Sequence, residues 1–218
     1  MSSLEDEKRI AAEAAAQLVE DGMTIGLGSG STVAELLPAI ARRGLGGIRC
    51  VATSVATERQ ARELGIPVEE FSELERLDIA IDGTDQVTPD GWLIKGGGGA
   101  HLREKIVAAA TERFVVIADS SKPVERLTPP VPLELFAFGL RSTLARLGPE
   151  VRLRDGAPRS PDDGVIADFL GEVDNPATLA ASLDADPGVA EHGLFPPHLV
   201  SEVIVAEGDE VRRTTPAR

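Results

Sequence analysis

Residues 92–120 read WLIKGGGGAHLREKIVAAATERFVVIADS. An apolar strand-like run, WLIK, ends in a lysine. Four consecutive glycines follow, residues 100–112 carry a helical pattern, and FVVIADS (114–120) is a second strand. Apolar strands alternating with helices are the signature of a mostly parallel sheet covered on both faces. Ordering four glycines is entropically costly, so the run needs a reason beyond joining two elements.

The alternation continues outward from this stretch. Residues 3–21 read as an amphipathic helix, with Ser3 and Asp6 as a capping box and Ile10, Ala14 and Leu18 on one face. MTIGLG (23–28) is a strand, STVAELLPAIARR (31–43) a helix bent at Pro38, IRCVATS (48–54) a strand, and ATERQARELG (56–65) a helix stopped by Gly65. IPVEEF and LDIAIDG are two further strands. The expected fold is α/β, a Rossmann-like, mostly parallel sheet. Ligands of such sheets sit at the carboxyl ends of the strands, so GLGSGST, DGTD, KGGGG and ADSSK are expected to converge on one edge.

LTPPVPLE (127–134) breaks the pattern and marks a boundary. Beyond it come strand PLELF, helix 137–147, strands VRLR and VIADFL, helix NPATLAASL and a strand within 188–195. That βαββαβ order predicts a smaller ferredoxin-like α+β domain. LVSEVIVAEG (199–208) is a last strand, assigned to the first sheet. The division is thus 1–129 plus 200–218 for the α/β domain and 130–199 for the ferredoxin-like one. The tail DEVRRTTPAR reads as frayed.

Composition narrows the function. A net charge of −14 over 218 residues argues against a nucleic-acid partner, which needs a basic face. With 3% aromatic residues, the core must rest on Ala, Val, Leu and Ile. No apolar run is long enough for a membrane span and the charged N-terminus is not a signal peptide, so a cytoplasmic protein is expected. Cys50 reads as a buried strand thiol, and His101, His192 and His198 show no metal-ligand spacing. The lysines are Lys8, Lys95, Lys105 and Lys122; the other cations are arginines. A lysine beside a glycine run is notable in such a chain, because a compact ammonium fits a small polar pocket that a guanidinium does not.

GLGSGST is not a dinucleotide fingerprint: Gly26 and Gly28 fit, but Ser31 stands at the third position and the next strand ends in Ala52, Thr53 and Ser54. Nor is it a P-loop. What remains is a small-residue turn and a helix start presenting Ser29, Ser31 and Thr32, suited to a phosphate-sized anion or simply a capped turn. Asp82 and Asp85 of DGTD can bind sugar hydroxyls, hold a metal or do acid–base work, or merely cap the turn. With no further ligands nearby, metal is the weaker option. Consecutive glycines turn backbone amides into one concavity. Lys95 stands at one end of the run and Glu104 about one helical turn beyond the other. A carboxylate, a cation and a ring of amides are the equipment for proton abstraction beside a carbonyl; a hinge with surface charges is the competing reading.

In order and spacing, GLGSGST, TSVAT, DGTD, KGGGGA, REK, ADSSK and PGVAEHGLF resemble the type A ribose-5-phosphate isomerase family from about residue 8 to 205. The resemblance implies aldose–ketose isomerisation of ribose 5-phosphate and ribulose 5-phosphate through an enediol, without cofactor or metal, in a homodimer or homotetramer of this two-part fold. By the motif match, Glu104 is the base, while Asp82, Asp85 and Lys95 open the furanose ring and hold sugar oxygens. Ser29, Gly30, Ser31 and Thr32, with Gly83, Thr84, Gly96, Gly97, Gly98 and Lys122, position the substrate and its phosphate. Two departures stand out. The family's D-G-A-D-E turn has Thr84 and Gln86 in place of Ala and Glu, and its T-D-N-G-N segment is reduced to Asp163 and Gly164 of SPDDGVIADF, a change expected to leave the catalytic loops untouched. The alternatives are a non-catalytic phosphosugar sensor, which needs an anion loop but no base, and a CoA transferase, which needs room for CoA. Retention of Glu104, Asp82, Asp85 and Lys95 together favours the isomerase.

Overall fold

The first helix begins where its cap dictates. The Ser3 hydroxyl accepts from the Asp6 amide at 3.2 Å and the Asp6 carboxylate accepts from the Ser3 amide at 3.1 Å, closing a capping box on α1 (Leu4–Ala16). The computed structural model describes residues 2–216. After α1 come β1 (Thr24–Leu27), α2 (Ser31–Arg42), β2 (Arg49–Ala52), α3 (Val55–Glu63), β3 (Leu77–Gly83), β4 (Gln86–Val87), β5 (Leu93–Ile94), α4 (His101–Ala109) and β6 (Thr111–Asp119). Pro38 sits inside α2 and cannot donate to the Ala34 carbonyl. The Gln60 amide takes that acceptor instead, at 3.0 Å, so the helix continues with its backbone satisfied.

The chain then builds β7 (Val131–Leu135), α5 (Leu140–Leu147), β8 (Val151–Leu153), β9 (Val165–Phe169), α6 (Pro176–Asp184), β10 (Val189–His192) and β11 (Leu194–Phe195). It ends with β12 (Val200–Glu207) and β13 (Glu210–Thr214). The main sheet runs β13-β12-β6-β3-β1-β2, parallel except for β13. Alternate residues serve its two faces. Ile25, Leu27, Ile79, Ile81, Val115 and Ile117 meet the alanines of α1 and Leu36, Leu37 and Ile40 of α2. Ala80, Phe114, Val116 and Val203 meet Val107 and Ala108 of α4 and Phe195. Burying each such large aliphatic side chain contributes roughly 1.5–3 kcal/mol. The second sheet, β10-β7-β9-β8, is antiparallel throughout, the strand order of a ferredoxin-like βαββαβ unit, with its own core around Leu133, Leu135, Ala167 and Leu183.

Three expectations need correction. IPVEEF is not a strand; only Val68 bridges Cys50 at the sheet edge. WLIK does not join the parallel sheet. TPDG (88–91) is a tight turn, with Gly91 at φ 90° and its amide on the Thr88 carbonyl, so β5 folds back antiparallel on β4 and pairs with β11 in a small third sheet. The tail is not frayed: Glu210–Thr214 forms β13, register-paired from Glu207↔Glu210 to Val203↔Thr214. Its side chains are all exposed, as suits an edge strand, and backbone pairing holds it without any apolar alternation to betray it.

Candidate active site

The site begins with a glycine. Where β1 exits, a Cβ at Gly28 would lie 2.0 Å from the Asp82 carboxyl group, so only glycine lets Asp82, at the end of β3, turn beneath the loop. There Asp82 Oδ1 accepts from the Ser29 amide (2.9 Å) and the Gly83 amide (2.7 Å). Its other oxygen lies 3.0 Å from Lys95 Nζ, which sits 3.2 Å from Glu104 Oε2 and donates to the Gly83 carbonyl. The second Glu104 oxygen accepts the Ser29 hydroxyl. Asp82, Lys95 and Glu104 are only 2%, 3% and 4% exposed, and the Phe195 ring centroid lies 5.5 Å from the ammonium. Two carboxylates with one cation between them thus share a nearly dry floor.

Electrostatics follows from that crowding. Burial, and then the Glu104 charge, push the Asp82 carboxyl up to about 7 against the pull of Lys95. Burial opposes the Lys95 ammonium, but Asp82 and Glu104 outweigh it and hold its pKa above the ordinary lysine value. The site therefore keeps a firm cation and a carboxyl poised to exchange a proton near neutrality.

Above this floor lies a cleft of about 120 Å³. Every residue singled out from the sequence lines it except Asp82, which lies beneath. The loops converge as expected, with one change: the glycine run arrives from antiparallel β5. Gly96 takes φ 97°, the Gly97 amide donates to Asp85 (2.9 Å) and the Gly99 amide to the Gly96 carbonyl. Helix α2 starts at Gly30 with no side-chain cap, so its first amides, at Ser31 and Thr32, open toward the cleft. Ser29 instead braces Asp82 and Glu104. Thr84 closes its turn, its hydroxyl 2.7 Å from the Gln86 carbonyl and 3.0 Å from that of Ile94. Gln86 faces away from the cleft and clasps Thr128, donating to its carbonyl (2.8 Å) and accepting from its amide (2.8 Å), a pairing a glutamate could make only in part.

In the cleft the acidic side chains gather around Lys95. Elsewhere Asp184, Glu191 and His192 bring ligand-type atoms within 4.8 Å of one another, but the Lys105 ammonium bonds to Glu191 and lies 2.7 Å from the His192 carbonyl. In each group an ammonium already pairs with the acidic side chains.

Known proteins match the chain over most of its length. The family model described as ribose 5-phosphate isomerase A (phosphoriboisomerase A) matches residues 49–210. A curated relative from Caulobacter vibrioides, ribose-5-phosphate isomerase A, is 44% identical over 227 residues, covering 98% of this chain and all of the relative. The chain belongs to the ribose 5-phosphate isomerase A family. Solved members share the fold closely. The Neisseria gonorrhoeae enzyme superposes with a TM-score of 0.94 at 34% identity over the full length of both chains. A D-ribose-5-phosphate isomerase in complex with phospho-erythronic acid gives 0.92 at 31% identity, covering 98% of this chain and all of that one.

The 160–168 segment reaches helix α4, and its neighbour strand reaches the glycine run. Asp162 forks onto Arg103, the neighbour of Glu104, at 2.8 and 2.9 Å. Arg154, at the end of β8, donates to the Gly97 carbonyl at 2.8 Å. Neither contact has a local sequence signal, since the partners stand 59 and 57 residues apart. Glu7 has no local signal either: from α1 it accepts the Ser120 amide and hydroxyl and the Gly208 amide, fixing the ADSSK loop that carries Lys122.

Proposed function

We propose that this chain interconverts D-ribose 5-phosphate and D-ribulose 5-phosphate through an enediol, with Glu104 as the base. The observation that carries the reading is the buried Asp82–Lys95–Glu104 group at the floor of a cleft rimmed by backbone amides. Asp82, Asp85 and Lys95 open the furanose ring by moving a proton between ring oxygen and anomeric hydroxyl. Glu104 then takes the proton from C2, the electron pair forms the C1–C2 double bond, and Lys95 with the glycine-loop amides stabilises the enediolate oxygen. The O2 proton passes to O1, and return of the proton from Glu104 to C1 then leaves the C2 carbonyl and the C1 hydroxyl of the ketose. The Ser29 hydroxyl holds one Glu104 oxygen, and the other, 3.2 Å from the Lys95 ammonium, takes the proton. The uncapped start of α2, at Ser31 and Thr32, together with Lys122, takes the phosphate.

The family relationship supports a division into a catalytic α/β domain (1–129 with 200–218) and a ferredoxin-like domain (130–199), a homodimer or homotetramer, and action in the cytoplasm. No helix among the described residues is long and apolar enough to cross a membrane. The test is ketose formation from ribose 5-phosphate by purified protein in excess EDTA, beside Glu104→Gln. Turnover that falls two to four decades in the variant, the range for losing a general base, supports the reading. Undiminished turnover in Glu104→Gln removes Glu104 from the role. A wild type that binds phospho-erythronic acid without turning over ribose 5-phosphate is a sensor instead.

A further inference from the structure

Four adjacent glycines cannot hold a shape on their own, yet Gly96, Gly97 and Gly98 form one wall of the cleft. Beyond the Gly99-to-Gly96 bond within the run, the shape is imposed from outside, most directly at one residue. The Gly97 amide donates to Asp85 at 2.9 Å and its carbonyl accepts from Arg154 Nη1 at 2.8 Å, so the peptide groups on both sides of one Cα are pinned. A Cβ at Gly97 would lie 3.1 Å from both Asp85 oxygens, which leaves the residue little slack.

Arg154 is itself held. Its Nε and Nη2 fork onto the two Asp168 oxygens at 2.8 and 2.5 Å, and its amide donates to the Ile166 carbonyl at the end of the β8–β9 pairing. Three of the five guanidinium donors are therefore directed, which only a planar fork can manage. From the same sheet, Ile166 packs so closely that a Cβ at Gly99 would touch it at 3.4 Å. The second sheet thus meets the glycine run at two points.

Resting on the isomerase reading, we infer that Arg154 is a positioning residue for the reaction: anchored on Asp168, it holds the Gly97 carbonyl and, with Asp85 on the same residue's amide, fixes the glycine loop beside Lys95 and Glu104. It touches no reacting atom. It removes an ordering step that the loop would otherwise complete each time its amides meet the developing enediolate.

The test compares Arg154→Ala and Arg154→Lys with wild type by steady-state kinetics on ribose 5-phosphate, thermal midpoint, and amide hydrogen exchange across residues 93–102. In folded Arg154→Ala, exchange at 96–99 rises at least tenfold over that of the sheet. kcat falls about ten- to hundredfold and KM changes less than threefold, as expected when an interaction strengthens only in the transition state. Arg154→Lys reaches the carbonyl without the fork and recovers only part of kcat. Loop exchange and kcat within twofold of wild type in either folded variant overturn the inference, as does a loss matched by faster exchange everywhere. If Arg154→Ala does not fold, Arg154→Lys decides by the same readouts. A wild type without turnover rejects the isomerase reading, and loop exchange then still accepts or rejects the clamp.

Discussion

Lys95→Met removes a charge while keeping the length of the side chain. The ammonium lies 3.0 Å from Asp82 and 3.2 Å from Glu104. At an effective dielectric of about 20, each contact is on the order of 5 kcal/mol in gross Coulomb energy. Much of that offsets hydration the three groups have already lost, so deleting the cation should cost about 3–5 kcal/mol, the range for leaving a buried charge unpaired. The loss depends on pH in a defined direction. The folded-state pKa of Asp82 is raised to about 7, so its neutral form is favoured in the fold and that contribution is lost as pH rises through 7. Without Lys95, which pulls it down, the pKa rises further, and each pH unit above 7 then costs the variant about 1.4 kcal/mol relative to wild type until Asp82 ionises. Urea unfolding at pH 6 and 8.5 reads both quantities. We expect about 3 kcal/mol at pH 6 and about 5 kcal/mol at pH 8.5. A loss under about 1 kcal/mol, or one that shrinks as pH rises, would refute the view of Lys95 as the counter-ion of a dry carboxylate pair.

Two further outcomes follow from packing and from buried bases. Gly28→Ala drives a methyl into the Asp82 carboxyl group; relieving it should cost about 1–3 kcal/mol and lower turnover at least tenfold, and a variant with wild-type melting and turnover would contradict the close approach. His101 and His192 are held near 3, by burial first and the Lys105 charge second, so both are neutral in the fold and take protons only when it opens. Their depressed values give stability that is full above pH 6.5 and lost as pH falls toward 3, at about 1.4 kcal/mol per pH unit for each histidine. Urea midpoints should therefore drop between pH 6.5 and 5, and a flat profile there would rule out two buried neutral imidazoles.

Much of the fold was legible because its strands announce themselves. MTIGLG, LDIAIDG and FVVIADS are apolar runs that stop at small or polar loops, and they became β1, β3 and β6. WLIK misled because two paired residues carry too little pattern to show which sheet they enter. The tail misled for the opposite reason: an exposed edge strand is held by its backbone, and its side chains say nothing. At the site, Asp82, Lys95 and Glu104 lie within short motifs at strand ends, where topology alone brings them together. The brace of Ser29 on Glu104 spans 75 residues and the grip of Arg154 on Gly97 spans 57, and contacts of that range leave no periodic trace.

The chain leaves the main sheet after β6 and returns in β12, and these two strands are immediate parallel neighbours. Because they run the same way, the chain departs at the Asp119 end and comes back at the Val200 end, opposite Phe114. The intervening segment has to travel the length of the sheet before it can rejoin it, and on that journey it lays β11 on β5 and Arg154 on Gly97. The covering of the glycine run is thus a by-product of the crossover that a parallel pair demands.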